Sequence, residues 1–197
     1  GTAVERVGRY AVPGQSIKQV VVPAPGRYAL LHVGQNTLHI VDVANPAQPR
    51  LAMKDSRLGL LYGYQITDGL IGGRYASCFW HVTGFYWYDL YGAPTPAYTG
   101  DNYAQRLSAE NGAAVLGDAL LVTSAGGYFM LSPEETRPPE ALPHFGIAGR
   151  RLDGKPSIFG KTLYVSNRFW GRVTRVDISK PEAPRCLDAL DLDGNPG

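Results

Sequence analysis

Hydrophobic residues along this chain fall in short runs separated by turns rich in Gly, Pro, Asn and Asp, and long helical periodicity is absent. The first four runs, IKQVVV (17–22), RYALLHV (27–33), TLHIVDV (37–43) and PRLAMKD (49–55), predict four consecutive strands, a to d. The pattern then recurs. YGYQIT (62–67), LIGGRYASCFW (70–80), FYWYDLY (85–91) and PAYTGD (96–101) make a second set. AAVLG (113–117), ALLVTS (119–124), YFMLS (128–132) and a stretch around Pro138 make a third. PSIF (156–159), TLYVSN (162–167), RVTRVDI (172–178) and APRCLDALD (183–191) make a fourth. A further run, VERVGRYAV (4–12), precedes them and predicts an extra outer strand. The c runs are almost continuously apolar, as expected of strands packed on both faces.

The sets are copies of one unit. TLHIVDVANPAQPRLAM (37–53) and RVTRVDISKPEAPRCLD (172–188) share the frame D-x-x-x-P-x-x-P, with Asp42, Pro46 and Pro49 in one and Asp177, Pro181 and Pro184 in the other. FYWYDLYGAPTPAYTGD (85–101) keeps Asp89 and the second Pro, and YFMLSPEETRPPE (128–140) keeps a strand and a Pro-rich turn. The recurring Asp stands before the turn, where a carboxylate accepts backbone N–H groups, so Asp42, Asp89 and Asp177 read as turn anchors and not as acids. The repeats run over roughly 13–54, 55–101, 102–141 and 142–190, a period of about 40–50 residues, which is that of four-stranded propeller blades.

VGRYAVPGQSIKQVVV (7–22), LHIVDVANPAQPR (38–50) and VTRVDISKPEAPR (173–185) resemble the LVIVD repeat of bacterial and archaeal cell-surface proteins. In that repeat a V-G-x-Y-x-x-P-G opening leads to an inner strand and then to I-V-D-V-S-N-P-x-x-P. The resemblance implies an all-β fold, a β-propeller with blades of four antiparallel strands, of which about four are visible. One leading strand plus four blades leaves a surplus edge. A larger ring of about seven blades, or a second chain or copy completing the ring, is therefore expected, with a closed four-bladed ring as the alternative.

Composition narrows the partners. The formal charge is +2 in 197 residues and the basic residues are dispersed, so the stripe a nucleic acid needs is absent. No run is long and apolar enough for a membrane span, and no signal peptide is legible; with the cell-surface resemblance, the expected location is extracellular, periplasmic or at the cell surface. Cys78 and Cys186 lack ligand spacing, so neither a metal site nor a disulfide framework is indicated. No phosphate loop, G-x-S-x-G or H-E-x-x-H occurs, and no cofactor is expected.

Propeller geometry sends the a–b and c–d turns to one rim and the b–c and d–a connections to the other. The first set is bland. The second collects Trp80 and His81, Asn167, Arg168 and Trp170, Arg57, Tyr62 and Tyr64, Tyr103 and Arg106, and His144, Arg150 and Arg151. Aromatic rings offer a face to the C–H side of a sugar, and Arg forks pair with carboxylate or sulfate, so an acidic polysaccharide or glycan is the expected ligand. His81 is the candidate general base or acid, and Tyr62 or Tyr64 the proton donor to a leaving oxygen. Trp80, Arg168, Trp170, Asn167, Arg57, Tyr103, Arg106 and His144 are the candidate binding residues. His32 and His39 sit inside apolar strands and read as core.

This rim is similar in kind to those of propeller polysaccharide lyases and rhamnosidases, and that likeness implies one reading, a lyase. There an Arg offsets the uronate charge while His and Tyr move protons. The other reading is a non-catalytic LVIVD-type propeller that binds a glycan or a protein.

Overall fold

The computed structural model describes residues 6–24, 27–57, 65–80, 84–102, 112–124, 127–134, 156–167, 171–181 and 183–192, which are strands and turns without a helix. Four antiparallel sheets follow one another along the chain. The first is β1 (Ile17–Ala24), β2 (Tyr28–Val33), β3 (Thr37–Asp42) and β4 (Arg50–Asp55), in that spatial order. The second is β5 (Gln65–Ile66), β6 (Tyr75–Trp80), β7 (Gly84–Asp89) and β8 (Ala97–Asn102). The third holds β9 (Ala113–Leu116), β10 (Ala119–Ser124) and β11 (Gly127–Leu131), and the fourth β12 (Ser157–Phe159), β13 (Thr162–Asn167), β14 (Arg172–Asp177) and β15 (Arg185–Asp191). These are the meanders expected of blades, with strand bounds close to those the hydrophobic runs predict; the fourth strand expected in the third set, around Pro138, lies outside the described residues.

One hydrogen bond recurs where strands b and c meet. Val43 donates to the Arg27 carbonyl at 2.7 Å, Leu90 to that of Arg74 at 3.1 Å and Ile178 to that of Lys161 at 2.9 Å, which fixes the register of the repeat. At the equivalent Asp, Oδ1 accepts the amide two residues on: Ala44 on Asp42 at 2.9 Å, Tyr91 on Asp89 at 3.1 Å and Ser179 on Asp177 at 2.9 Å. All three are turn anchors, as the spacing requires.

The chain divides into two compact units, one of Gly1–Leu70, Arg74–Trp80 and Tyr86–Gly100, the other of Ile71–Gly73, His81–Phe85 and Asp101–Gly197. The core of the first is built from one face of each of its sheets: Val21, Leu30, Leu38 and Ile40 meet Ile66, Cys78, Tyr86, Tyr88 and Leu90. In the second unit Leu121 and Tyr128 meet Leu163, Val165, Val176 and Ile178. Every residue of β7 is buried, so its aromatic run is core on both faces. Gln19 of β1 also reaches Ile66 of β5, accepting its N–H at 3.1 Å and donating to its carbonyl at 3.5 Å, and so mimics a strand partner.

The leading segment departs from expectation. Residues 6–12 form no strand; they cover the other face of the first sheet, where Tyr10 and Val12 pack on Ala29, Leu31, Val33 and Val41. Burying that apolar face outweighs adding a ladder at an edge. Gly8 permits the approach, since a Cβ there would stand 1.9 Å from the Pro46 carbonyl oxygen. His32 and His39 are core, at 3% and 5% exposure, and His39 Nδ1 meets the Tyr10 hydroxyl at 2.8 Å.

Candidate functional site

His81, Tyr62 and Tyr64 lie outside the described residues, as do Tyr103, Arg106, His144, Arg150, Arg151, Arg168 and Trp170. Trp80 and Asn167 are the last residues of β6 and β13, where the runs 70–80 and 162–167 end, and Asn167 pairs with Arg172 across the ladder.

Arg57 is described, and it organises a cluster between the two sheets of the first unit. Strand β4 ends at Asp55, whose side chain is 3% exposed while that of Arg57 is 55% exposed. Asp55 Oδ1 accepts the Arg57 backbone N–H and Nε, both at 2.9 Å; Oδ2 accepts Arg57 Nη2 at 2.9 Å and the Tyr88 hydroxyl at 3.0 Å. The guanidinium carbon lies 3.7 Å from the centre of the Tyr98 ring, and the Tyr98 and Tyr88 rings meet edge-on at 5.9 Å. A two-residue step from carboxylate to guanidinium lets one side chain turn back and chelate the other.

The charges are set by this packing. Burial opposes ionisation of Asp55, but the bonds from Arg57 and Tyr88 outweigh it and hold the carboxyl below its usual range. Burial, then the neighbouring Cys78 and Asp55, pushes the Tyr88 hydroxyl far above its ordinary value. Cys78, itself fully buried, is pushed up by burial and by Asp55. Near neutral pH Asp55 is therefore a fixed acceptor and Tyr88 a fixed donor, and neither trades protons with a substrate. Arg57 keeps Nη1 without a partner among the described residues and lies flat on a ring. That makes it a clamp between the two sheets of the first unit.

Asp55, Tyr88 and Tyr98 were not nominated by sequence. The Asp-x-Arg step after strand d is the legible signal, because an Asp there caps its own turn. Among the described residues no group of three His, Cys, Asp or Glu could hold a metal ion, and no helix is long and apolar enough to cross a membrane. Cys78 and Cys186 are free thiols, one buried and one exposed.

Solved structures with this fold are propellers. A chain of the mitotic checkpoint complex superposes with a TM-score of 0.61 at 11% identity, over 93% of this chain and 55% of that one. A functionally unknown protein from Desulfotomaculum acetoxidans gives 0.62 at 11% identity, over 99% and 63%. BamB from Moraxella catarrhalis gives 0.53 at 16% identity, over 88% and 52%. At these identities the likeness concerns fold alone, and this chain spans between half and two thirds of each neighbour's length. The chain is thus of the β-propeller class. Within it, residues 20–54 match the family model of the LVIVD repeat, which spans the first sheet from β1 to β4. No curated protein matches its sequence.

Proposed function

We propose that the protein is a binding propeller of the extracytoplasmic space whose ligand is an acidic polysaccharide or glycan, taken at the rim formed by the b–c and d–a connections. The fold supports a binding or an enzymatic role. The observation that carries the binding reading is the Asp55, Arg57, Tyr88 and Tyr98 cluster. At the end of β4, a described part of that rim, the ionisable groups are locked in structural bonds while a guanidinium stays half-exposed on an aromatic ring. A rigid cation beside a ring suits a sugar that carries a carboxylate. Trp80, Arg168 and Trp170 supply further rings and charge in this reading, and Arg57 the anchored cation.

Affinity electrophoresis through gels containing polygalacturonate, hyaluronate or a neutral glucan tests the proposal. Retardation by the uronate polymers alone, weakened in Trp170→Ala and Arg168→Gln, is the expected outcome. Equal mobility in all gels refutes it.

A further inference from the structure

At the opposite end of the first sheet, the repeat contains a substitution of one contact for another. In the first, second and fourth sheets a basic residue stands before the b strand and an Asp ends the c strand beside it: Arg27 with Asp42, Arg74 with Asp89, Lys161 with Asp177. In the second blade the pair closes, with Arg74 Nε on Asp89 Oδ1 at 3.0 Å and Nη2 on Oδ2 at 2.5 Å. In the first blade it stays open. Arg27 forms no ion pair among the described residues, and Asp42 accepts the Ala44 amide. The Arg27 guanidinium carbon lies instead 5.2 Å from the centres of both the Tyr28 and Tyr91 rings, which are 5.8 Å apart.

Tyr91 is the cause. The repeat register places Tyr91 where the first blade has Ala44 and the fourth Ser179, so a large ring replaces a small residue at the place where it reaches the neighbouring blade's Arg. Tyr28 is buried, Tyr91 half-buried and Arg27 exposed. The two ring centres, 5.8 Å apart and tilted by 56°, stand on one side of the guanidinium, so they hold the charge in place while its other side stays open to an acceptor.

We propose that Arg27, framed by Tyr28 and Tyr91, is a second binding point that takes a sugar-borne carboxylate, the uronate of an acidic glycan. The fork pairs with the carboxylate and the open part of the Tyr91 ring receives an apolar C–H face of the sugar. An acidic peptide carries its carboxylate on a flexible stem that makes no use of the ring. The class of ligand rests on the acidic-glycan reading; the residues and the end of the sheet do not.

Calorimetric titration of the full chain with an oligogalacturonate, its methyl ester and a Glu-rich peptide tests this. The acid form alone binds, and Arg27→Gln weakens it about tenfold or more, the scale of a charge-assisted bidentate pair. Arg27→Lys, which keeps the charge without the fork, gives an intermediate loss and serves if the Gln variant melts early. Tyr91→Ala also weakens binding by releasing Arg27 to Asp42, and adding Asp42→Asn restores part of it. Unchanged affinity in folded Arg27→Gln overturns the inference, as does tighter binding of the peptide. Trp170→Ala separates the two sites: binding lost there but kept in Arg27→Gln leaves only the other rim, and the reverse leaves only this one.

Discussion

Replacing Asp55 with Ala tests whether the buried carboxylate holds the first two sheets together. It removes the acceptor of four donors, but they are not equal. Arg57 is 55% exposed, so water takes over its N–H groups and losing this pair costs about 0–1 kcal/mol. Tyr88 is 0% exposed, and its hydroxyl, left without Asp55, costs about 1–3 kcal/mol. Relief of the carboxylate's own burial offsets part of that, for a net loss of about 1–3 kcal/mol. Tyr88→Phe alone removes one hydrogen bond and costs about 1 kcal/mol, because Asp55 keeps Arg57. The double variant has no orphaned hydroxyl, so it is less destabilised than the sum by about 1 kcal/mol or more. Urea unfolding followed by the fluorescence of Trp87, which is buried in β7, measures all four corners of the cycle. Additivity within about 0.3 kcal/mol refutes the coupling.

Gly92→Ala places a Cβ 2.0 Å from both Arg74 Nη2 and Asp89 Oδ2, and either the ion pair or the turn must yield; a loss of about 1–3 kcal/mol in urea unfolding is expected. Gln19→Ala leaves the Ile66 amide and carbonyl without their partner and loosens β5, read as about 1–2 kcal/mol and faster amide exchange at Ile66. Burial, aided by Lys54, lowers the pKa of His39, so the unfolded chain takes up its proton first. Stability is therefore full above about pH 6.5 and falls as the pH drops below it, and His39→Gln flattens that part of the urea-midpoint profile.

How far the sequence could be read follows the kind of interaction. Alternation, turn residues and the D-x-x-x-P-x-x-P frame are local, and they locate nearly every strand, the Asp anchors and the two-faced burial of β7. The segment 6–12 is read as a strand because it alternates like one, yet alternation does not distinguish an edge ladder from a cover over an open face; Gly8 against Pro46 decides that. Arg57 is legible as an exposed cation and its chelation of Asp55 is a local two-residue step, but its stacking on Tyr98 and the bond from Tyr88 to Asp55 join residues from different sheets, which spacing alone does not report. Arg27 is missed for the same reason. G-R-Y-A stands at 8–11, 26–29 and 73–76, a repeat that marks the Arg, while the side of the turn it faces depends on Tyr91 in the next blade.

The most direct test of the binding reading follows the full chain with polygalacturonate in two ways at once, calorimetry for heat of binding and ultraviolet absorbance for new C=C bonds. Saturable binding that is absent with a neutral glucan, with absorbance constant over hours, is the predicted result. No binding to any uronate polymer contradicts the account, and so does a rise in absorbance that disappears in His81→Ala, which would make the protein a lyase.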